Sequence, residues 1–242
     1  MLDQRVRRMS ATTDIGLALI GAAFAVVFFL PAAAVSAHTS SAFVGASSVG
    51  GKWPSNHVEP YFIRNTFPAQ AYNDRINNSA TVWAGASSDT ADAATSFAGY
   101  TTVTGNADNP CLASWSAVYW RNISPGLVGN TVWGKCGSTV TQKFSISVNA
   151  CCGTPWYSGT GTPGPSQWDL YSVMVHEMGH AAATWYGHYE DKPALGLAGV
   201  CSPYNPTSPN TGDATMCGQY YPGQSYARSL QVHDIHTYSA GW

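Results

Sequence analysis

Residues 168–188 decide how this chain is read: Trp168-Asp169-Leu170-Tyr171-Ser172-Val173-Met174-Val175-His176-Glu177-Met178-Gly179-His180, then Ala181-Ala182-Ala183-Thr184-Trp185-Tyr186-Gly187-His188. The run is helical in character from Gln167 to about Tyr186, and Gly187 is a natural stop. Ser166 offers an N-cap, with Asp169 three residues on in a capping-box-like arrangement. Inside this helix lies an H-E-x-x-H motif. Residues four apart on a helix differ by about 40° in direction, so His176 and His180 share one face. Each imidazole can offer a nitrogen to one Zn2+. Glu177 sits beside them, where a carboxylate can take a proton from water.

A catalytic zinc takes three protein ligands and keeps one position open. The third donor is open among His188, Glu190, Asp191, Asp213, His233, Asp234 and His236. His188 is favoured, because it follows Gly187, where the helix ends and the chain can fold back. Tyr186 and Glu190 stand as alternatives.

Working outward, Cys151 to Ser166 is rich in Gly and Pro and reads as loop. Before it, Val140–Val148 reads as a strand, with Phe144, Ile146 and Val148 alternating with Ser145 and Ser147, so one face should be buried. Ser116–Asn122 reads as another strand and Ala69–Ala84 as a helix. Val58–Ile63 reads as a first strand, with Pro60 marking an edge or an early position. A last short helix is expected from about Tyr226 to Tyr238. A sheet-bearing N-terminal part with helices and a loop-rich C-terminal part argues an α+β domain.

The chain has 242 residues, a formal net charge of −2 and only 10% charged residues. That balance offers no basic stripe for nucleic acid. Arg5, Arg7 and Arg8 precede the uncharged apolar run Ile15–Leu30, and Val35-Ser36-Ala37 follows Pro31. This is the three-part pattern of a secretory signal peptide ending at Ala37. Residues 1–37 are therefore expected to be removed and the product secreted, extracellular, free of the membrane and monomeric. Residues 38–51 are rich in Ser, Gly and Ala and read as a flexible leader or short pro-segment. Residues 52–242 read as the catalytic domain. All six cysteines lie beyond the signal, so three disulfides are expected, in any of fifteen pairings.

At these residues the sequence resembles the metzincin zinc metallopeptidases, in their matrixin-like branch. Trp168–His180 resembles their active-site helix, and Lys52-Trp53-Pro54 the start of their catalytic domain. Ser145-Ile146-Ser147-Val148-Asn149 resembles the strand against which substrates lie extended, which would make Asn149 substrate-binding. Ala214-Thr215-Met216 resembles the Met-turn, with Met216 beneath the histidines and Tyr220 lining a substrate pocket. Arg228-Ser229-Leu230 and His233-Asp234-Ile235 resemble the closing helix. The resemblance implies a mixed twisted sheet with an active-site helix and a loop-rich C-terminal subdomain. It also implies a zinc endopeptidase acting on protein or peptide substrates, with Glu177 as general base. The chain departs from the family pattern after His180. Ala183 stands at the glycine position, Tyr186 at the third-ligand position, and Gly187-His188 comes two residues late. A catalytically impaired zinc-binding or interaction protein on the same fold is the alternative. Asp89, Asp92 and Asp108 show no EF-hand spacing, so Ca2+ stays open as a second cation.

Overall fold

The computed structural model describes residues 35–36, 41–43, 58–84, 95–102, 105–138, 143–151, 153–182, 215–217, 219–231 and 234. The chain divides into Met1–Pro31 and a unit of Ala32–Trp242, to which all described residues belong. In chain order the elements are β1 (Val35–Ser36), β2 (Ser41–Phe43), β3 (Glu59–Arg64), α1 (Gln70–Ala84), β4 (Thr95–Thr101) and β5 (Ser116–Arg121). They continue with β6 (Gly129–Gly134), β7 (Lys143–Asn149), β8 (Trp156–Tyr157), β9 (Trp168–Asp169), α2 (Leu170–Ala182) and β10 (Gln219–Tyr220). Among the described residues no helix is long and apolar enough to cross a membrane.

The main sheet has the order β2-β6-β7-β5-β3-β4. Only β6 against β7 is antiparallel, so the sheet is mixed. Ile63, Val118, Phe144, Ile146 and Val148 project to one face. There they meet Ile76, Ala80 and Trp83 of α1 and Val173, Met174 and Met178 of α2 in one buried cluster. Both helices therefore cover the same face of the sheet. The helical spacing of apolar residues in 70–84 lets α1 bury one side there, whereas α2 is buried almost all round, from Ser172 to Ala182.

Several expectations are corrected. β3 is an interior strand flanked by β4 and β5. Of the two readings of Pro60 the early position holds and the edge does not: it is the second residue of β3 and precedes the β5 pairing, which begins at Tyr61. The serines of β7 are not solvent-facing. Ser145 and Ser147 are as buried as their apolar neighbours, under a second cover built from the 106–108 loop. Ser145 Oγ donates to the Ala107 carbonyl at 2.5 Å, and Ser147 Oγ accepts from Arg121 Nε at 2.8 Å. Arg121 in turn makes a bidentate pair with Asp108, and that hydrogen bond and charge hold the Asp108 carboxyl below its usual range.

The start of α2 also differs. Trp168 and Asp169 are extended and pair with β8, so the helix begins at Leu170. Asp169, not Ser166, caps it, accepting from Ser172 N at 3.0 Å and Ser172 Oγ at 2.6 Å.

A disulfide joins Cys111 to Cys136 across 25 residues, which stabilises by about 3 kcal/mol in the loop-entropy picture. Cys151 and Cys217 are also disulfide-bonded, and no cysteine among the described residues is free. β2 falls within the stretch read as a leader and lies parallel along the outer edge of β6. β1 pairs with β10.

Candidate metal centre and active site

The helix-facing residues of β6 run Gly129, Thr131 and Trp133, in register with Val148, Ile146 and Phe144 of β7. α2 crosses this side of the sheet, and Glu177 points at the gap. A Cβ on Gly129 would collide with Glu177, standing 2.9 Å from its Cδ. The glycine is thus the space the carboxylate occupies. One residue pair along, Thr131 Oγ1 lies 2.6 Å from Glu177 Oε2 and 3.1 Å from the Glu177 carbonyl. The carboxylate is fully buried. Burial holds its proton affinity well above the usual carboxylate range, and the Thr131 hydroxyl pulls the other way.

His176 and His180 are likewise buried. Their Nε2 atoms approach to 3.1 Å, and the rings meet edge-on. The other nitrogen of His176, Nδ1, lies 2.6 Å from the Thr215 carbonyl. A carbonyl can only accept, so Nδ1 carries the proton, and in the neutral ring Nε2 then presents a lone pair. The two imidazoles are two of the three donors that a catalytic zinc takes. Two nitrogens at ~2.0–2.1 Å from one tetrahedral ion lie roughly 3.4 Å apart, close to the separation found.

Gly179, between the motif residues, has a packing reason. Its missing side chain admits Met216 Sδ and the indole of Trp83, whose Cε2 would be 3.0 Å from a Cβ there. The Trp83 indole N–H donates to the Val175 carbonyl at 2.6 Å. A helix-interior glycine costs about 1 kcal/mol against alanine; here it lets α1 and the 215–216 turn touch the backbone of α2 directly. Met216 is buried in that turn.

Asn149 closes β7 and is buried. β7 is hydrogen-bonded on both sides, by β5 and β6, so an extended peptide has no edge to join there. The Asn149 side chain instead serves local loops. Its Nδ2 donates to the Leu127 carbonyl at 2.6 Å, and its Oδ1 accepts from Cys151 N at 2.8 Å. The strand beside Glu177 is β6, which lies between β2 and β7.

His188, with Tyr186, Glu190, Asp191, Asp213, His233 and His236, lies outside the described residues, as do Ala183, Asp89 and Asp92. Tyr220 is described by its backbone alone. Asp234 is described and buried, and its carboxylate is turned onto backbone N–H groups of residues 215, 216 and 231. Among the described residues no group of three His, Cys, Asp or Glu side chains is arranged to hold a metal.

No family model matches the chain, and no curated protein matches it. Among solved structures, a crystal structure of myroilysin is similar at a TM-score of 0.45 and 10% identity, covering 86% of this chain and 91% of that one. A second structure of myroilysin gives 0.42 and 10%, covering 85% and 91%.

Proposed function

We propose that this chain is a secreted zinc-dependent endopeptidase. The observation that carries the proposal is the approach of two imidazole Nε2 atoms to 3.1 Å, with His176 locked in the ligating tautomer by Thr215 and Glu177 on the same helix. His176 and His180 would hold the ion through Nε2, and His188 is the third donor in this reading. When bound, zinc supplies Lewis acidity, polarising a peptide carbonyl and lowering the pKa of water towards ~7. Glu177 takes the proton of the attacking water on Oε1, while Thr131 steadies the carboxylate through Oε2. The same group then returns the proton to the leaving amine nitrogen. Met216 and Trp83 hold the helix backbone that spaces the two imidazoles.

The test uses the exported chain. About one zinc per chain is expected, with hydrolysis of a generic protein substrate that a chelator abolishes and zinc restores. Metal-free protein with undiminished hydrolysis would sink the proposal.

A second element of the reading concerns residues 38–51. An extended peptide can recognise a sheet edge by adding a strand to it, and β6, the strand that touches Glu177, would be that edge without β2. β2 lies on that edge, and His176, Glu177 and His180 are all buried. On this reading Ser41–Phe43 belong to a pro-segment that occupies the edge a substrate strand would use. A tethered occupant acts at a millimolar effective concentration, so a chain starting at Lys52 should cleave micromolar substrate at least about tenfold faster than one starting at His38. Equal rates from the two chains would remove the pro-segment from the account.

A further inference from the structure

We propose that the cleft at the start of α1 is a binding site for a neutral sugar, separate from the two helix histidines. The cleft has a volume of about 410 Å3, and Asn65, Phe67, Gln70, Asn73 and Tyr100 are among its lining residues. That volume falls within the ~300–1,000 Å3 of small-ligand pockets. Its aromatic walls are held from behind. Phe67 packs on Trp120 with ring centroids 5.5 Å apart, and Tyr100 meets Phe97 edge-on at 5.2 Å. The Asn65 N–H donates to the Thr101 carbonyl at 3.1 Å, which ties the end of β3 to the end of β4. The cleft stands apart from the H-E-x-x-H helix. Trp83, the α1 residue that packs against Gly179, is separated from Asn73 by roughly 15 Å of helix.

The lining selects the class of ligand. None of the described residues lining the cleft is charged, so a phosphate or carboxylate would find no counter-charge there. Asn73 disfavours a purely apolar ligand, because its Oδ1 is buried without a hydrogen-bond partner. An apolar group would leave that oxygen unpaired, at the full cost of its lost water. The groups left free are of both kinds. Gln70 Nε2 donates to Asp74 Oδ1 at 2.9 Å and to the Tyr100 hydroxyl oxygen at 3.1 Å, which uses both of its protons. Gln70 Oε1 remains to accept, and the Tyr100 hydroxyl, having accepted, keeps its own proton to donate. The Asn65 and Asn73 amides can do both. Sugar hydroxyls likewise donate and accept. The C–H face of a pyranose ring packs on an aromatic ring, and Tyr100 is 46% exposed to receive one. A neutral hexose therefore matches the donors, the acceptors and the aromatic wall together.

The test is titration of the full exported chain with chitotriose, cellotriose, mannotriose and a triserine peptide blocked at both ends, followed by ligand-observed NMR. The three sugars distinguish a chitin-like, a cellulose-like and a glycoprotein source. At least one sugar should bind saturably with a Kd on the order of 1 mM, the affinity of about one ring in contact. Tyr100→Ala should weaken that binding about tenfold, through loss of the ring and its hydroxyl. Asn73→Leu keeps the size, removes the hydrogen-bonding group and takes away a buried unpaired oxygen, so the fold should bear it. It should weaken binding by about threefold or more. If Tyr100→Ala does not fold, Asn73→Leu alone decides. A chelator should leave the sugar affinity unchanged, so the site stands or falls apart from the peptidase reading. Absence of saturable sugar binding up to about 10 mM overturns the proposal, as does binding of the triserine peptide alone. Wild-type affinity in either folded variant overturns it too, because the sugar then binds elsewhere. Loss of sugar binding with the chelator would put the sugar at the metal and overturn it as well.

Discussion

Glu177→Gln is expected to retain zinc and to lose about 10²–10⁴-fold in kcat/KM, the range for removing a general base. The substitution is a clean probe because of how the side chain is housed. Gly129 leaves room for a flat carboxylate-sized group, and an amide has the same outline. Thr131 can still donate to the amide oxygen, so the contact at 2.6 Å survives. What goes is the ability to take a proton at Oε1. The measurement is steady-state hydrolysis of a peptide substrate, with zinc per chain determined on the same sample. A variant that hydrolyses as fast as the wild type would remove Glu177 from the chemistry, and the arrangement of β6 around it would then be packing alone.

The motif on α2 was legible because it is local. Two histidines four apart on a helix share a face whatever surrounds them, and the H-E-x-x-H spacing contains that geometry. The apolar faces of α1 and β7 were legible for the same reason, since periods of 3.6 and 2 are written in consecutive residues. The partners were not. Thr131 and Gly129 lie 46 and 48 positions before Glu177, on a strand that begins and ends in glycine and carries no pattern of its own. Only the register of β6 on β7 sets them beside the carboxylate. Ser145 and Ser147 misled for a related reason. Alternation announces one buried face, but the cover on the other face comes from a distant loop. Asp169 was visible as a helix-start residue, yet its place as the cap depends on β9 pairing with β8. Asp234 was visible as one of several third-donor candidates and as part of the closing-helix resemblance. Its contacts with residues 215 and 216 need the fold to bring them together.

The largest stability effect is expected from Arg228→Met, at about 3–5 kcal/mol, measured as the shift in a reversible denaturant transition. Arg228 Nε donates to Asp169 Oδ2 at 2.8 Å and its second terminal nitrogen to Oδ1 at 2.6 Å. The other terminal nitrogen donates to the Thr160 carbonyl at 2.7 Å, and the guanidinium lies over the Tyr157 ring. One side chain thereby ties the 226–228 turn, the 157–160 loop and the first turn of α2. The Asp169 hydrogen bond is also the main reason that Arg228 holds its proton more tightly than usual. The cost is large because of what the variant leaves behind. The Asp169 side chain is 1% exposed and that of Arg228 18%, so the carboxylate cannot rehydrate. A pair on the surface would be worth only about 0–1 kcal/mol, and a loss that small would show that Asp169 finds water or another donor. The companion variant separates charge from capping. Asp169→Ser keeps a hydroxyl that can cap α2 and removes the stranded charge, so the double variant should be more stable than Arg228→Met alone. If the double variant is worse instead, the carboxylate is needed for the cap itself, and the first turn of the helix that carries His176 depends on Asp169 more than on the ion pair.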